Sequence, residues 1–322
     1  MSTLTSRFVA VDGSQIHIIE SIPPIPRDLP LVVLVTGLGT VGAHWCAVQR
    51  LLPPQIHSFA YDRLGLGRSD RTTLPRPATV LAAELKATLI AASLTPPYLL
   101  VASSYAGVIC REYLEKFDSD VAGLIYVDAN QERSHVEREW PMDATFRMDT
   151  GGGLTSGPSG LSEDHGCSEV DWEAIKSAEA AVIAERDSLS HAGVQPRQGE
   201  SASYVTSLAA LGDHGQLDKQ ALGCRPLSII VANLARDFER SYQSGKRAGL
   251  GTADDHEAVE TFIKRLPGVE LELAVEVLKL SSLHRLIVTS VSGHLVYLWE
   301  PELVVQEVLW CLGKCSQVEK SG

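Results

Sequence analysis

Four apolar runs in residues 1–130, each separated from the next by helix-like text, leave few folds open to this chain. The runs are LPLVVLVTG (29–37), HSFAYD (57–62), YLLVASS (98–104) and VAGLIYVD (121–128). Continuous apolar runs of this length, bounded by Pro, Gly or Asp, describe strands buried on both faces. Stretches at 42–52, 77–93 and 105–117 read as helices between them. Strand and helix in alternation predict a parallel sheet with right-handed crossovers. A hairpin precedes it, RFVAVDG and QIHIIES turning at Asp12-Gly13-Ser14.

The pattern stops at 131–224, where the text turns polar, with helix-like stretches near 170–188 and 202–211. It resumes with PLSIIVA (226–232), helical text at 254–265 and 270–283, RLIVTS (285–290) and a last helix at 300–312. The expectation is one α/β unit with a mostly parallel central sheet and helices on both faces. Residues 1–130 and 225–322 form its core, and 131–224 a lid or cap insertion over the carboxyl edge of the sheet, where open α/β sheets bind ligands. The Gly/Ser-rich tract TGGGLTSGPSG (150–160) lacks the Lys-Ser/Thr of a phosphate loop and reads as a mobile part of that lid, gating the site. Trp140, Phe146 and Tyr204 are candidates to line an apolar acyl or ring pocket, or to pin the lid to the core.

Charge and composition narrow the partners. The net charge of −12 argues against nucleic acid, which demands a basic surface, and against docking on an anionic membrane. No apolar run approaches the ~18 residues of a membrane span. The start, MSTLTSRFVAVDG, lacks the apolar stretch of a signal peptide. The six cysteines show no CxxC pairing and no clustering with histidine. They are expected to be reduced thiols, which fits a cytoplasmic location. The partner expected is a small ester-like molecule, and composition is silent on oligomeric state.

The chemistry concentrates at the carboxyl ends of the strands. Val101-Ala102-Ser103-Ser104-Tyr105-Ala106-Gly107 has the form of a nucleophile elbow, a sharp strand-to-helix turn with small flanking residues and a serine at its apex. Ser104 is the candidate nucleophile. The Tyr105 N–H, at the start of the next helix, is a candidate oxyanion donor. A serine nucleophile needs a base, and Val291-Ser292-Gly293-His294 places His294 on a loop after the last strand, at the same edge. Thr36-Gly37-Leu38-Gly39 leaves the first buried strand with two glycines, and the Leu38 N–H is the second candidate donor.

Taken together these stretches resemble the α/β-hydrolase fold superfamily. VVLVTGLGTVGAHW (32–45) is similar to the family's H-G-x-x-x-x-x-x-W stretch, FAYDRLGLGRSD (59–70) to its Y-D-x-x-G-x-G-x-S-D, VASSYAG (101–107) to its elbow and SGHLVYLWEP (292–301) to its histidine loop. Both elbow glycines are alanine here, and Thr36 stands where the family usually has histidine. The resemblance implies a serine hydrolase of an ester, thioester or lactone of a small apolar metabolite, working without metal or organic cofactor, with secondary metabolism as a setting. For the triad acid it leaves two positions. Asp237, in VANLARDFE, follows the strand where the family more often carries it, and Asp128 directly ends the strand before. Asp128 is the choice, because a strand terminus holds an imidazole more rigidly.

Other classes remain in view. The same scaffold hosts lyases, acyl transferases and cyclising enzymes, as well as non-catalytic ligand-binding modules. Gly37-Leu38-Gly39-Thr40-Val41-Gly42 also satisfies G-x-G-x-x-G, with Asp62 ending the next strand, as in an NAD(P)-binding fingerprint. Against that stand the preceding hairpin and the RLGLGRSD that follows Asp62, which the dinucleotide reading leaves unexplained.

Overall fold

The computed structural model describes residues 2–24, 28–150, 165, 167–177, 179–180 and 199–318. Eight strands form one sheet: β1 (Leu4–Val11), β2 (Ser14–Ser21), β3 (Leu31–Val35), β4 (Ser58–Tyr61), β5 (Tyr98–Ser103), β6 (Val121–Val127), β7 (Leu227–Val231) and β8 (His284–Val288). Their spatial order is β1-β2-β4-β3-β5-β6-β7-β8. The β1–β2 hairpin, closed at Asp12 and Gly13, both with positive φ, pairs antiparallel onto β4. From β4 to β8 every pairing is parallel. Each apolar run in the sequence is therefore a strand of one sheet.

The apolar runs are continuous because both faces are covered. Along β3, Leu31, Val33 and Val35 enter one core cluster while Val32 and Leu34 enter the other; along β5, Leu100 and Ala102 alternate in the same way with Leu99 and Val101. The first face is covered by α2 (Ala78–Ala91) and α3 (Ala106–Lys116). Helix α2 presents Leu81, Ala82, Leu85 and Leu89 at helical spacing. The second face is covered by α1 (Cys46–Leu51) and the C-terminal α10 (Pro301–Val318), whose Val304, Val308, Cys311 and Leu312 recur at three to four residues. All six cysteines are free.

Between β6 and β7 lie α4 (Ser134–Arg138), α5 (Met142–Arg147), a helical stretch at 169–177, and α6 (Tyr204–Asp213). This region shares its apolar contacts with the rest of the chain. Leu208, Leu211 and Leu222 join the first core cluster, Trp172 and Ile175 the second. Ala144 and Met148 join a third cluster with Tyr242, Val259, Phe262 and Leu266. Those last residues belong to α7 (Leu234–Arg247) and α8 (Ala253–Val277); the short α9 (Val296–Trp299) precedes α10.

The short helices α4, α5 and α9 were not expected from the sequence, and two long helices also differ from the expectation. Helix α7 was not anticipated, because its text is charged and only Leu234, Phe238 and Tyr242, at i, i+4 and i+8, carry the helical period. The text at 254–265 and 270–283 forms a single helix through Pro267, ending at Val277. Proline removes one backbone donor and usually breaks a helix. Here the buried face continues across it, from Val259, Phe262, Ile263 and Leu266 to Leu273, Ala274 and Val277, and a Thr252–Asp255 capping box fixes the start. Packing on both sides of the proline overrides the local break. Among the described residues no helix is long and apolar enough to cross a membrane.

Candidate functional site

Ser103 on β5 pairs with Val127 on β6, so Ser104 and Asp128 are the next residues off the carboxyl ends of two neighbouring strands. Both turn sharply, with φ of 55° at Ser104 and 47° at Asp128. Left-handed backbone is strained for a side chain with a Cβ and persists where surrounding contacts enforce it. At Ser104 the carbonyl oxygen accepts from Gly107 N–H at 3.0 Å and from Asn130 N–H at 2.8 Å. The second bond ties the serine turn to the loop leaving β6. Close approach, rather than elbow glycine, sets the steric demands. A Cβ at Gly37 would lie 2.8 Å from the Ser104 Cβ, and one at Gly107 only 2.4 Å from the Asn130 carbonyl oxygen. Ala102 and Ala106 are both fully buried and fit the turn without glycine.

His294 lies on the loop after β8 and reaches across β7 to the acid. Its Nδ1 is 2.7 Å from Asp128 Oδ2, and Asp128 Oδ1 accepts from Ala232 N–H at 3.0 Å. Asp237, in the first turn of α7, also meets His294, but at the main chain: Asp237 Oδ2 accepts the His294 N–H at 2.7 Å. One carboxylate engages the ring and the other the backbone. Their environments push them apart. Burial raises the Asp128 pKa, but the hydrogen bond and charge of His294 outweigh it and hold the group below the usual carboxylate value. Asp237 is pushed up by burial, with the Asp128 charge adding to the rise and its bonds to His294 only partly offsetting it. For His294, burial alone would lower the pKa. The Asp128 hydrogen bond and charge prevail and place it above its ordinary 6.5, with Arg138 opposing and Asp237 adding to the rise. Ser104 Oγ and His294 Nε2 share no hydrogen bond in this structure, a contact that in free enzymes is often long and tightens with substrate.

Gly293 has no room for a side chain: an added Cβ would fall 1.9 Å from Asp237 Oδ1. Gly293→Ala is therefore expected to displace the Asp237 carboxylate and, with it, the His294 backbone. Displacements of about 1 Å at a catalytic group can cost on the order of 10²-fold in rate. Turnover of an activated ester by the purified variant, compared with wild type, checks this.

The Leu38 and Tyr105 amides donate to no acceptor among the described residues. Leu38 follows the glycine pressed against Ser104, and Tyr105 follows Ser104 itself. The Thr36–Thr40 loop is held from behind by Arg63, a fully buried residue of the Tyr61–Asp70 stretch whose role the sequence did not disclose. Arg63 is paired with Glu200, a residue with no sequence signal, 137 positions away.

Asp62 is fully engaged in structure. Its carboxylate accepts from Gly42 N–H at 2.7 Å and Arg68 N–H at 3.0 Å, and meets His17 Nδ1 at 2.9 Å. Arg68 is a donor only and contacts His17 Nε2 at 3.0 Å, so His17 carries its proton on Nδ1 and donates to Asp62. Gly67, with φ of 54°, is required because a Cβ there would meet Asp62 Oδ2 at 2.4 Å. Gly42 of the GLGTVG run is thus tied to Asp62 inside the fold, where the carboxylate is buried and already engaged by three groups of the protein rather than open to a ribose.

Trp140, Met142, Phe146, Phe238, Tyr242 and Val259 line a largely apolar cavity of about 260 Å³, to which Ser104, Asp128 and His294 do not contribute. Phe238 follows Asp237, so the turn of α7 that accepts the His294 N–H also supplies one residue of the cavity wall. Trp140 packs edge-on to Phe238. Tyr204 stands apart, with its ring against Tyr105 and its hydroxyl 2.5 Å from Asn130 Nδ2. Residues 151–160 of the Gly/Ser-rich tract lie outside the described residues.

Comparison with known proteins places the chain in a family. The family model described as "Alpha/beta hydrolase family" matches residues 32–307. An AB hydrolase superfamily protein of Gibberella zeae is 32% identical over 283 residues, covering 87% of this chain and 85% of that protein. Among solved structures, a thermophilic esterase from Thermogutta terrifontis superposes with a TM-score of 0.57 at 17% identity, covering 97% of this chain and 99% of that one. A loop variant of the haloalkane dehalogenase DbeA from Bradyrhizobium elkanii superposes with a TM-score of 0.63, also at 17% identity, covering 99% and 100%. At such identities the structures establish the fold, and different chemistries share it. With a mostly parallel eight-stranded sheet, helices on both faces and the family match over most of its length, the chain belongs to the α/β-hydrolase family.

Proposed function

We propose that the protein is a serine hydrolase of carboxylic esters, thioesters or lactones of small apolar molecules, with Ser104, His294 and Asp128 as its triad. The observation that carries this reading is the 2.7 Å contact between His294 Nδ1 and Asp128 Oδ2, at the sheet edge where Ser104 is held at positive φ. The Asp128 contact keeps the proton on Nδ1 and leaves Nε2 as an acceptor for the serine proton. Ser104 Oγ adds to the carbonyl carbon as its proton passes to His294 Nε2. The Leu38 and Tyr105 amides hold the oxyanion. The C–O or C–S bond then breaks, and the leaving group departs with the proton from His294. Water, deprotonated by the same imidazole, releases the acid and restores Ser104. Residues 131–224 would cap this edge.

Turnover of p-nitrophenyl esters of graded chain length, with thioesters and lactones alongside, tests the reaction class. Release of the acid from at least one class supports the reading; a protein that binds these compounds and cleaves none contradicts it. The pH profile is a second check. Only neutral His294 accepts a proton, and its pKa is raised, so kcat/KM should fall as pH drops through a limb lying above 6.5. In Asp128→Asn the anion that raises the histidine is gone, and the limb should move to lower pH. A limb unmoved by that substitution would contradict the pairing.

A further inference from the structure

We propose that Arg63 and Glu200 form a positioning device for the Leu38 amide, fastening the oxyanion loop to the segment that leads into α6. The inference rests on the hydrolase reading above. Arg63 is fully buried, and each of its five N–H donors has an acceptor. One terminal nitrogen donates to the Thr36 carbonyl at 2.8 Å and the Thr36 hydroxyl at 2.9 Å. The other donates to the Gly37 carbonyl at 2.6 Å and Glu200 Oε2 at 2.8 Å. Nε donates to Glu200 Oε1 at 2.5 Å. Glu200 Oε2 also accepts the Gly39 N–H at 3.3 Å, and Thr40 Oγ1 donates to the Gly37 carbonyl at 2.9 Å.

The consequence lies in the Gly37–Leu38 peptide. Its carbonyl belongs to Gly37 and its N–H to Leu38, and in a trans peptide the two point in opposite directions. Donors from Arg63 and Thr40 fix the carbonyl on one side, so the Leu38 N–H is fixed on the other. Gly37 itself touches Ser104, since a Cβ there would be 2.8 Å from the serine Cβ. Reorienting this peptide would present a carbonyl oxygen where an oxyanion has to bind. Glu200 holds Arg63 by two oxygens and Gly39 by a third contact, so both flanks of Leu38 depend on it. Thr36, at the position where the family usually carries histidine, supplies two of the acceptors.

A purely structural pair would lower thermal stability, and its loss would affect ground-state and transition-state binding alike. A positioning pair separates them. The test compares wild type with Glu200→Gln, which keeps the volume but puts an amide donor against the guanidinium. Kinetics on p-nitrophenyl esters are read together with inhibition by a trifluoromethyl ketone, which forms a tetrahedral adduct on the serine, and by the matching methyl ketone. Loss of one oxyanion donor costs about 10²–10³-fold, so misplacing one should lower kcat by at least about tenfold. KM should stay within about twofold, the trifluoromethyl ketone should weaken in parallel with kcat, and the methyl ketone should be unchanged. Glu200→Asp, which keeps the charge, should recover part of the loss. If Glu200→Gln does not fold, Arg63→Lys is measured in the same way. A raised KM with kcat intact, or parallel weakening of both ketones, would overturn the proposal, as would a folded variant indistinguishable from wild type. Wild-type protein that turns over no ester and is not inhibited by the trifluoromethyl ketone would instead overturn the hydrolase reading, and this proposal with it.

Discussion

Ser104→Ala is expected to reduce kcat on any accepted ester by about 10⁶-fold, the loss seen when a serine nucleophile is deleted from a triad that otherwise remains in place. The expectation follows from the turn. Ser104 is the residue at which β5 breaks into α3, its φ is 55°, and its backbone is anchored by Gly107 and Asn130. The neighbouring hydroxyl offers a control within the same peptide. Ser103 is the last residue of β5 and fully buried. Successive side chains of a strand point to opposite faces, so Ser103 cannot present its hydroxyl at the same place. Ser103→Ala should therefore keep most of the activity. The reverse outcome would shift the nucleophile by one residue and undo the geometry described for the oxyanion.

The second large effect concerns the two carboxylates on His294. Asp128→Asn preserves the shape of the side chain but lets the amide donate where the carboxylate accepted, stabilising the tautomer with its proton on the wrong nitrogen. Such a change can cost on the order of 10⁴-fold in kcat. Asp237→Asn leaves the ring pairing intact and retains an oxygen to accept the His294 N–H, so a loss of about tenfold or less is expected from the shifted loop. Comparing kcat of the two variants on one ester decides between them. A loss near 10⁴ at Asp237 with little change at Asp128 would assign the acid to α7 and contradict the present reading.

The residues that form the sheet were legible because the solvent exclusion of a doubly covered parallel strand is written into every position of the strand. LPLVVLVTG admits no amphipathic alternative. The hairpin was legible for a related reason, since Asp12 and Gly13 supply the left-handed conformations its turn demands. That Ser104 and His294 lie at one edge was legible because chain order in a parallel sheet fixes which strand ends share an edge. Helix α7 was obscured by its own charge, and α8 by Pro267, where packing of both halves outweighs the missing hydrogen bond. The relation between Asp128 and Asp237 was open because both reach His294, one through the ring and one through the main chain, a distinction of ångströms that spacing along the chain does not carry. Glu200 was invisible for a stronger reason. Nothing in GESASY marks a glutamate that will meet a buried arginine from the YDRLG stretch, and only the folded chain brings them together.

If Ser104 is a nucleophile activated by His294, it can be trapped covalently. Wild-type protein treated with a fluorophosphonate should gain one phosphonyl group, replacing the Ser104 hydroxyl proton with loss of fluoride. Mass spectrometry of the digest should place the group on Ser104 within the VASSYAG peptide. The same protein denatured beforehand should gain none, because the histidine and the oxyanion amides no longer act on the serine. An adduct on Ser103 or on a serine elsewhere in the chain, or no adduct on the folded protein, would mean that Ser104 is not the activated nucleophile.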